Sequence, residues 1–284
     1  MRDREGRLLY VGALADGRRR LAVEPTEVDG RYLAMLQAIE DRRFSAHPGV
    51  DGWALLRAAW QWASQGRVVS GGSTLTMQVV RLLDGRSTRT LAGKLRQIRL
   101  ALALERRLSK EEILALYLRL APYGGNLEGI RAGAWAWFGH EPRHLTVAES
   151  ALLIALPQAP ERRRPDRHPK ALQQARERIL QRLAALGLID HLELAEALRT
   201  PLPKARRPLP HLAAHLAWRL QGLDPGRLRW HLTLDAQLQG RLEHLAAERA
   251  ERLGGRLSAA ILVAAHATGE LWATVGSPDP FDLN

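Results

Sequence analysis

Two short segments hold most of the residues that could do chemistry. In the first, Glu40 and Asp41 stand side by side and are followed by Phe44, His47, Pro48-Gly49-Val50 and Asp51. A carboxylate placed where a helix meets a loop could take a proton from a weak nucleophile such as a hydroxyl. Taken singly, these residues also have ordinary explanations: solvated helix-end charges for Glu40 and Asp41, a surface imidazole for His47, a core plug for Phe44. In the second segment, Gly71-Gly72-Ser73-Thr74-Leu75-Thr76-Met77-Gln78 sets a glycine-rich turn before a hydroxyl-rich helix start. Such a turn aims free backbone N–H groups at an anion. The plain alternative is a Ser cap.

The elements that must position these groups are mostly helical. Leu33, Leu36 and Ile39 recur at helical spacing, predicting a helix from about Val28 into Glu40-Asp41. Asp51 would cap a helix through Ala63 that Gly66 closes, and Ser73 the next, running to Leu83. Leu91, Leu95, Ile98 and Leu102 form a further stripe, while Ser109 with Glu112 and Thr146 with Glu149 read as capping boxes. Pro157 stops the second of these helices, and a last long one covers about Lys170 to Leu186 before Gly187. Residues 1–24 read as a hairpin, with Leu8 to Val11 on one side of Asp16-Gly17 and Leu21 to Val23 on the other. A stiff Pro-rich stretch at Pro201 to Pro210 introduces a different texture. There Trp230, Leu232 and Leu234 alternate as a strand, a helix follows over about Ala236 to Leu253, and Ala259 to Ala265 and Leu271 to Val275 read as strands.

Composition sets the outer bounds. The 284 residues are 46% apolar and 25% charged, a globular balance that excludes disordered and collagen-like classes. Apolar runs such as Ala151 to Leu156 are far short of the roughly 20 residues a membrane span needs. Cysteine is absent, which removes disulfides and thiolate metal sites. The net charge of +12 is almost entirely arginine, since lysine occurs only at positions 94, 110, 170 and 204. Such an excess points to an anionic partner, whether nucleic acid, a phospholipid surface or a phosphorylated substrate, or else to the base composition of the genome.

Together and in this order, the two segments resemble the signature of family 51 glycosyltransferases, the peptidoglycan polymerase domain of class A penicillin-binding proteins. The pattern Glu-Asp-x-x-Phe-x-x-His-x-Gly is filled by Glu40, Asp41, Phe44, His47 and Gly49, and Gly-x-Ser-Thr-x-Thr-x-Gln by Gly71, Ser73, Thr74, Thr76 and Gln78. Lys94 matches the lysine of a third motif, Ser109 to Leu114 with Tyr117-Leu118 a fourth, and Phe138-Gly139 with Ala148-Glu149 and Leu156-Pro157 a fifth. The wording of Ser70 to Gln78 and of Ala121-Pro122-Tyr123-Gly124-Gly125-Asn126 is most similar to the 1C-type branch. Thr233 to Gln239 and the Thr268 to Ser277 stretch look like the opening of a penicillin-binding transpeptidase domain.

The resemblance implies a mainly α, lysozyme-like glycosyltransferase domain followed by a linker and a truncated α/β transpeptidase start. The expected division is 1–24 as a β lead-in, 25–200 as the glycosyltransferase, 201–229 as linker and 230–284 as the transpeptidase start. Ser-x-x-Lys occurs nowhere in this sequence, so transpeptidation is not expected of this chain. The implied reaction polymerises lipid II into glycan strands by inverting transfer from a lipid diphosphate to the 4-hydroxyl of an acceptor sugar. Glu40 matches the base. Asp41, Phe44, His47, Ser73, Thr74, Thr76, Gln78, Lys94 and Gln97 are carried over as substrate-binding residues; Arg81 and Arg89, which match no motif, stand near them in sequence as further cations. No cofactor or bound metal is required by the resemblance, a divalent ion such as Mg being optional. The partners implied are lipid II, the nascent strand, the membrane surface and other cell-wall proteins, with no nucleic acid, at the periplasmic face of a bacterial inner membrane whose anchor lies upstream. A Trp- and Arg-bearing stretch, Trp53 to Val69, would lie in that interface or else in a core.

Three positions depart from the family pattern. Gln97 stands where most members have a second glutamate, Arg119 where the fourth motif ends in asparagine, and Met77 where a glutamine is common in the second motif. A diphosphate leaving group needs charge neutralised more than it needs a proton, so one carboxylate suffices for transfer. A glycan-cleaving hydrolase would need the second as general acid. Gln97→Glu is therefore expected to leave transfer running, with greater dependence on metal. The alternatives are that hydrolase, or a non-catalytic module that holds lipid-linked glycan.

Overall fold

A computed structural model of the chain describes residues 1–53, 56, 60, 64, 72–88, 90–254 and 259–276. Two compact units emerge, one of residues 14–207 and one of residues 1–13 with those from Pro208 onward.

The larger unit is built from helices: α1 (Gly30–Glu40), α2 (Leu75–Asp84), α3 (Leu91–Glu105), α4 (Lys110–Leu120), α5 (Ile130–Trp137), α6 (Val147–Ala155), α7 (Pro169–Ala185) and α8 (His191–Arg199). Helix α6 is mostly apolar and buried from Ser150 to Ala155, and α1, α5, α7 and α8 pack on it. Helix α2 packs against both α3 and α4, and Met77, Val80 and Ala101 form a core between α2 and α3. Local chemistry fixes the helix starts. Asp29 accepts the Tyr32 N–H at 3.0 Å to open α1, and the boxes of Ser109 with Glu112 and Thr146 with Glu149 form as the sequence predicts. Gly85 ends α2 in the left-handed region at φ 66°.

Three expectations are corrected. Thr74, not Ser73, caps α2, because its side chain accepts the Met77 N–H. The Leu91–Leu95 stripe faces outward, with 77% and 54% exposure, whereas the buried line of α3 runs through Gln97 and Ala101. The polar side chain of Gln97 wins the interior by satisfying its hydrogen bonds there. The N-terminal hairpin does not form either. Arg19–Arg20 (β1) pairs in parallel with Leu127–Glu128 (β2), fastened by Arg18 and Arg20 on Glu128.

The smaller unit holds α9 (Ala214–Leu223), α10 (Ala236–Arg252) and an antiparallel pair, β3 (Ile261–Ala264) and β4 (Leu271–Val275). Helix α10 packs on β4, and Gln239 ties them by exchanging two hydrogen bonds with the Thr274 backbone at 2.7 and 2.9 Å. Residues 230–234 form an isolated bridge at His231 rather than the expected strand. Helix α9 falls inside the stretch read from the sequence as linker.

Most of the Trp53 to Val69 stretch, Trp62 included, lies outside the described residues. Trp53, Leu56 and Trp60 are 70%, 66% and 67% exposed. Among the described residues no helix is long and apolar enough to cross a membrane.

Candidate active site

The two motifs meet at the start of α2 and divide into a buried seam and an open rim. The seam begins with Asp41, which ends α1 and is only 6% exposed. Its carboxylate accepts the His47 Nε2 proton, at 2.9 and 3.1 Å from its two oxygens, and the Leu75 N–H at 2.9 Å. The Gly49 N–H donates to His47 Nδ1 at 3.2 Å. With Nδ1 an acceptor, the ring proton must sit on Nε2, so a neutral imidazole serves Asp41. Thr74 Oγ1 donates to the Gly49 carbonyl at 2.6 Å and accepts the Met77 N–H at 3.1 Å.

Lower in the seam, Glu105 accepts from Thr76 Oγ1 and from Lys110 Nζ, each at 2.6 Å. Lys110 also donates to the His47 carbonyl at 2.6 Å and stands 4.6 Å from the centre of the Phe44 ring. Gly49 is at φ 94°, and a Cβ there would come within 2.8 Å of the Ala101 carbonyl oxygen. The glycine of the first motif is therefore required by close backbone approach.

The rim holds the groups that face outward. Glu40 is half-buried at the end of α1. It accepts from Gln78 Nε2 at 2.8 Å and from Gln158 Nε2 at 2.6 Å. Arg163 Nη1 donates in turn to Gln158 Oε1 at 2.7 Å and to the Ala155 carbonyl at 2.8 Å. Tyr32, Tyr117 and Tyr123 lie fully buried nearby, and burial, with the negative charge of Glu40 adding to it, holds their phenols protonated well above the usual range. On the other flank of α2, Lys94 Nζ donates to Ser73 Oγ at 2.8 Å and to Gln97 Oε1 at 3.0 Å. Gln97 Nε2 donates to the Met77 carbonyl at 2.6 Å. Burial, and then the Arg81 guanidinium, lower the pKa of Lys94 below the ordinary lysine value.

Of the residues read from the sequence, Glu40, Ser73, Gln78 and Lys94 line the rim. Asp41, His47, Thr74 and Thr76 are buried with their polar atoms taken, and Phe44 is the core plug. Neither a solvated Asp41 nor a surface His47 survives. Gln97 is also buried, with its amide committed at both ends, to Lys94 and to the Met77 carbonyl. The anticipated row of free N–H groups at the start of α2 is partly consumed, since Asp41 and Thr74 take those of Leu75 and Met77. Gly71 and Arg89 lie outside the described residues. Sequence reasoning missed Gln158, Arg163, Glu105 and Lys110 as members of these networks; only the Leu156-Pro157 stop pointed near the first two.

Among the described residues no group of three or more His, Asp or Glu side chains is placed to hold a metal ion. What remains is one accessible carboxylate held by neutral amides, with a lysine and an arginine across the helix. That set can accept a proton on one side and stabilise an anion on the other.

Residues 7–184 match the family described as Transglycosylase. The chain is 45% identical over 275 residues to penicillin-binding protein 1C of Escherichia coli strain K12, covering 97% of this chain and 36% of that protein. It is 36% identical over 184 residues to penicillin-binding protein 1A of Pseudomonas aeruginosa, covering 65% of this chain and 22% of that protein. The chain thus spans about a third or less of the length of these relatives. A crystal structure of penicillin-binding protein 1A from Haemophilus influenzae is similar over 91% of this chain and 30% of its own, with 18% identity and a TM-score of 0.42.

Proposed function

This chain belongs to the transglycosylase family, and we infer from that membership and the rim geometry that it is a peptidoglycan glycosyltransferase polymerising lipid II. The 4-hydroxyl of the acceptor sugar gives its proton to Glu40 as the hydroxyl oxygen bonds to the anomeric carbon of the donor, inverting that centre. The bond from the anomeric carbon to the diphosphate breaks at the same time, and the lipid diphosphate leaves as an anion. Lys94, with Arg81 beside it, offsets the charge that develops on the departing group. Glu40 then returns its proton to water.

The observation that carries this reading is the contrast at the second family position. A glycan-cleaving hydrolase needs a second carboxylate as acid or nucleophile. The group present is Gln97, whose amide is committed to Lys94 and to the Met77 carbonyl. A diphosphate leaves without protonation when cations face it, so the transferase runs on Glu40 alone. No resident metal is needed on this account; a divalent ion would take part as counter-ion of the substrate's diphosphate. The exposed Trp53, Leu56 and Trp60 suit a partner at the membrane surface, where a lipid-linked substrate resides, at the periplasmic face of the inner membrane.

Polymerisation of purified lipid-linked disaccharide-peptide tests the reading. The chain is expected to make glycan polymer, and Glu40→Gln to lose on the order of 10² to 10⁴ in rate at unchanged melting temperature. Release of fragments from finished wall would support the hydrolase instead. Tight binding of the precursor with no turnover would mark a scaffold.

A further inference from the structure

The two oxygens of Glu40 are held differently. Gln78 reaches one from α2. Gln158 reaches the other and is itself exposed, so nothing in its own packing fixes which end of its amide faces the carboxylate. The wrong end would set a carbonyl oxygen against Glu40 and repel it. Arg163 decides the matter, because a guanidinium has only donors and must face the amide oxygen. Its Nη1 carries two hydrogens, and both are used: one on Gln158 Oε1 at 2.7 Å, one on the Ala155 carbonyl at 2.8 Å. Ala155 is the last residue of the buried helix α6, whose carbonyl end favours a cation. The arginine is thereby anchored on a helix that is buried from Ser150 to Ala155.

We propose that Arg163 and Gln158 form a positioning relay that orients Glu40, the amide being turned toward the carboxylate by a guanidinium anchored on the end of α6. The proposal rests on the glycosyltransferase reading and adds to it two positioning residues that no motif of the resemblance contains. Neither residue acts as a base or touches the departing diphosphate. Their effect is on the direction in which Glu40 presents its free lone pair, and misdirection of a reacting group costs rate rather than affinity.

The experiment measures kcat and KM for polymerisation of purified lipid-linked disaccharide-peptide, with melting temperature, for the chain and for Arg163→Leu, Gln158→Ala, the double variant and Arg163→Lys. Each single variant is expected to lower kcat about tenfold at unchanged KM and melting temperature, as loss of a hydrogen bond to a charged group would. The double variant should be no worse than either, since the two act through one contact. Arg163→Lys should recover part of the loss, because an ammonium can still face the amide oxygen. Multiplying losses in the double variant, a kcat for Arg163→Leu within twofold of the parent, or a loss that follows a falling melting temperature would overturn the relay while leaving the proposed function standing. A parent that makes no polymer would overturn both.

Discussion

The buried seam and the open rim are made from the same two motifs, often from neighbouring residues with the same functional group. Asp41 and Glu40 are adjacent carboxylates, and Thr74 and Ser73 adjacent hydroxyls. One of each pair is sealed and fully occupied. Asp41 spends its lone pairs on His47 and the Leu75 N–H, and Thr74 both caps α2 and bonds the Gly49 carbonyl. The other stays at the surface, Glu40 on neutral amides and Ser73 on Lys94. A carboxylate whose two oxygens are both engaged and which is almost closed to solvent is poorly placed to receive a proton from a substrate, whatever its residue type. Motif membership therefore does not separate scaffold from chemistry; burial and the identity of the partners do.

If that division is right, the two regions fail in different ways. Asp41→Ala should strike the seam hardest. It leaves the His47 proton and the Leu75 N–H without an acceptor in a buried site, which costs about 3 kcal/mol of stability. For a unit of this size that is roughly 6 to 12 °C in melting temperature. Asp41→Asn keeps one acceptor and should lose less. Thermal and urea unfolding decide the point. A stable Asp41→Ala protein that has merely lost rate would move Asp41 from the seam to the rim.

Lys94→Ala should do the reverse, lowering the polymerisation rate by roughly 10² through lost stabilisation of the diphosphate while the fold holds. The sign of the stability effect follows from the lowered pKa of Lys94. A lysine whose pKa falls on folding is held charged at a cost below that lowered value, and the cost fades as pH rises from there toward the ordinary lysine value. Removing the charge should leave the melting temperature at neutral pH equal to or slightly above the parent's. A clear drop, measured by calorimetry, would make Lys94 a structural clamp between Ser73 and Gln97.

How far the sequence carried depends on whether a signal was local. The caps at Ser109 and Thr146 and the span of α7 are settled by residues three or four apart, so they were legible. The pairing of Arg19–Arg20 with Leu127–Glu128 joins segments more than a hundred residues apart, and the hairpin pattern of the first 24 residues could not disclose it. Glu40 and Lys94 could be singled out because the motifs name them, and both line the rim. That Asp41 and His47 face inward was not legible, since their partners Leu75 and Gly49 enter through backbone groups that every residue carries. Gln158 and Arg163 were missed because their relation to Glu40 exists only once the end of α6 is packed beneath α1.

The smallest effect, and the finest test of the boundary between seam and rim, lies at Gln97, which belongs to both. From the sequence alone, a glutamate there should be tolerated. The geometry argues otherwise. The side chain must donate to the Met77 carbonyl at 2.6 Å and accept from Lys94 at 3.0 Å, and only an amide can do both. In Gln97→Glu one carboxylate oxygen keeps Lys94 while the other meets the Met77 carbonyl oxygen. The side chain then swings toward Lys94 and pairs with it, drawing off charge that the leaving diphosphate would use. The expected result is a rate about five- to tenfold lower, within the range for one lost hydrogen bond, with a melting temperature slightly reduced. Added magnesium should restore more of the rate in the variant than in the parent, because the metal would supply what the paired lysine no longer does. A variant as fast as the parent at every magnesium concentration would mean that Lys94 is positioned by Ser73 alone, and that the amide of Gln97 belongs wholly to the seam.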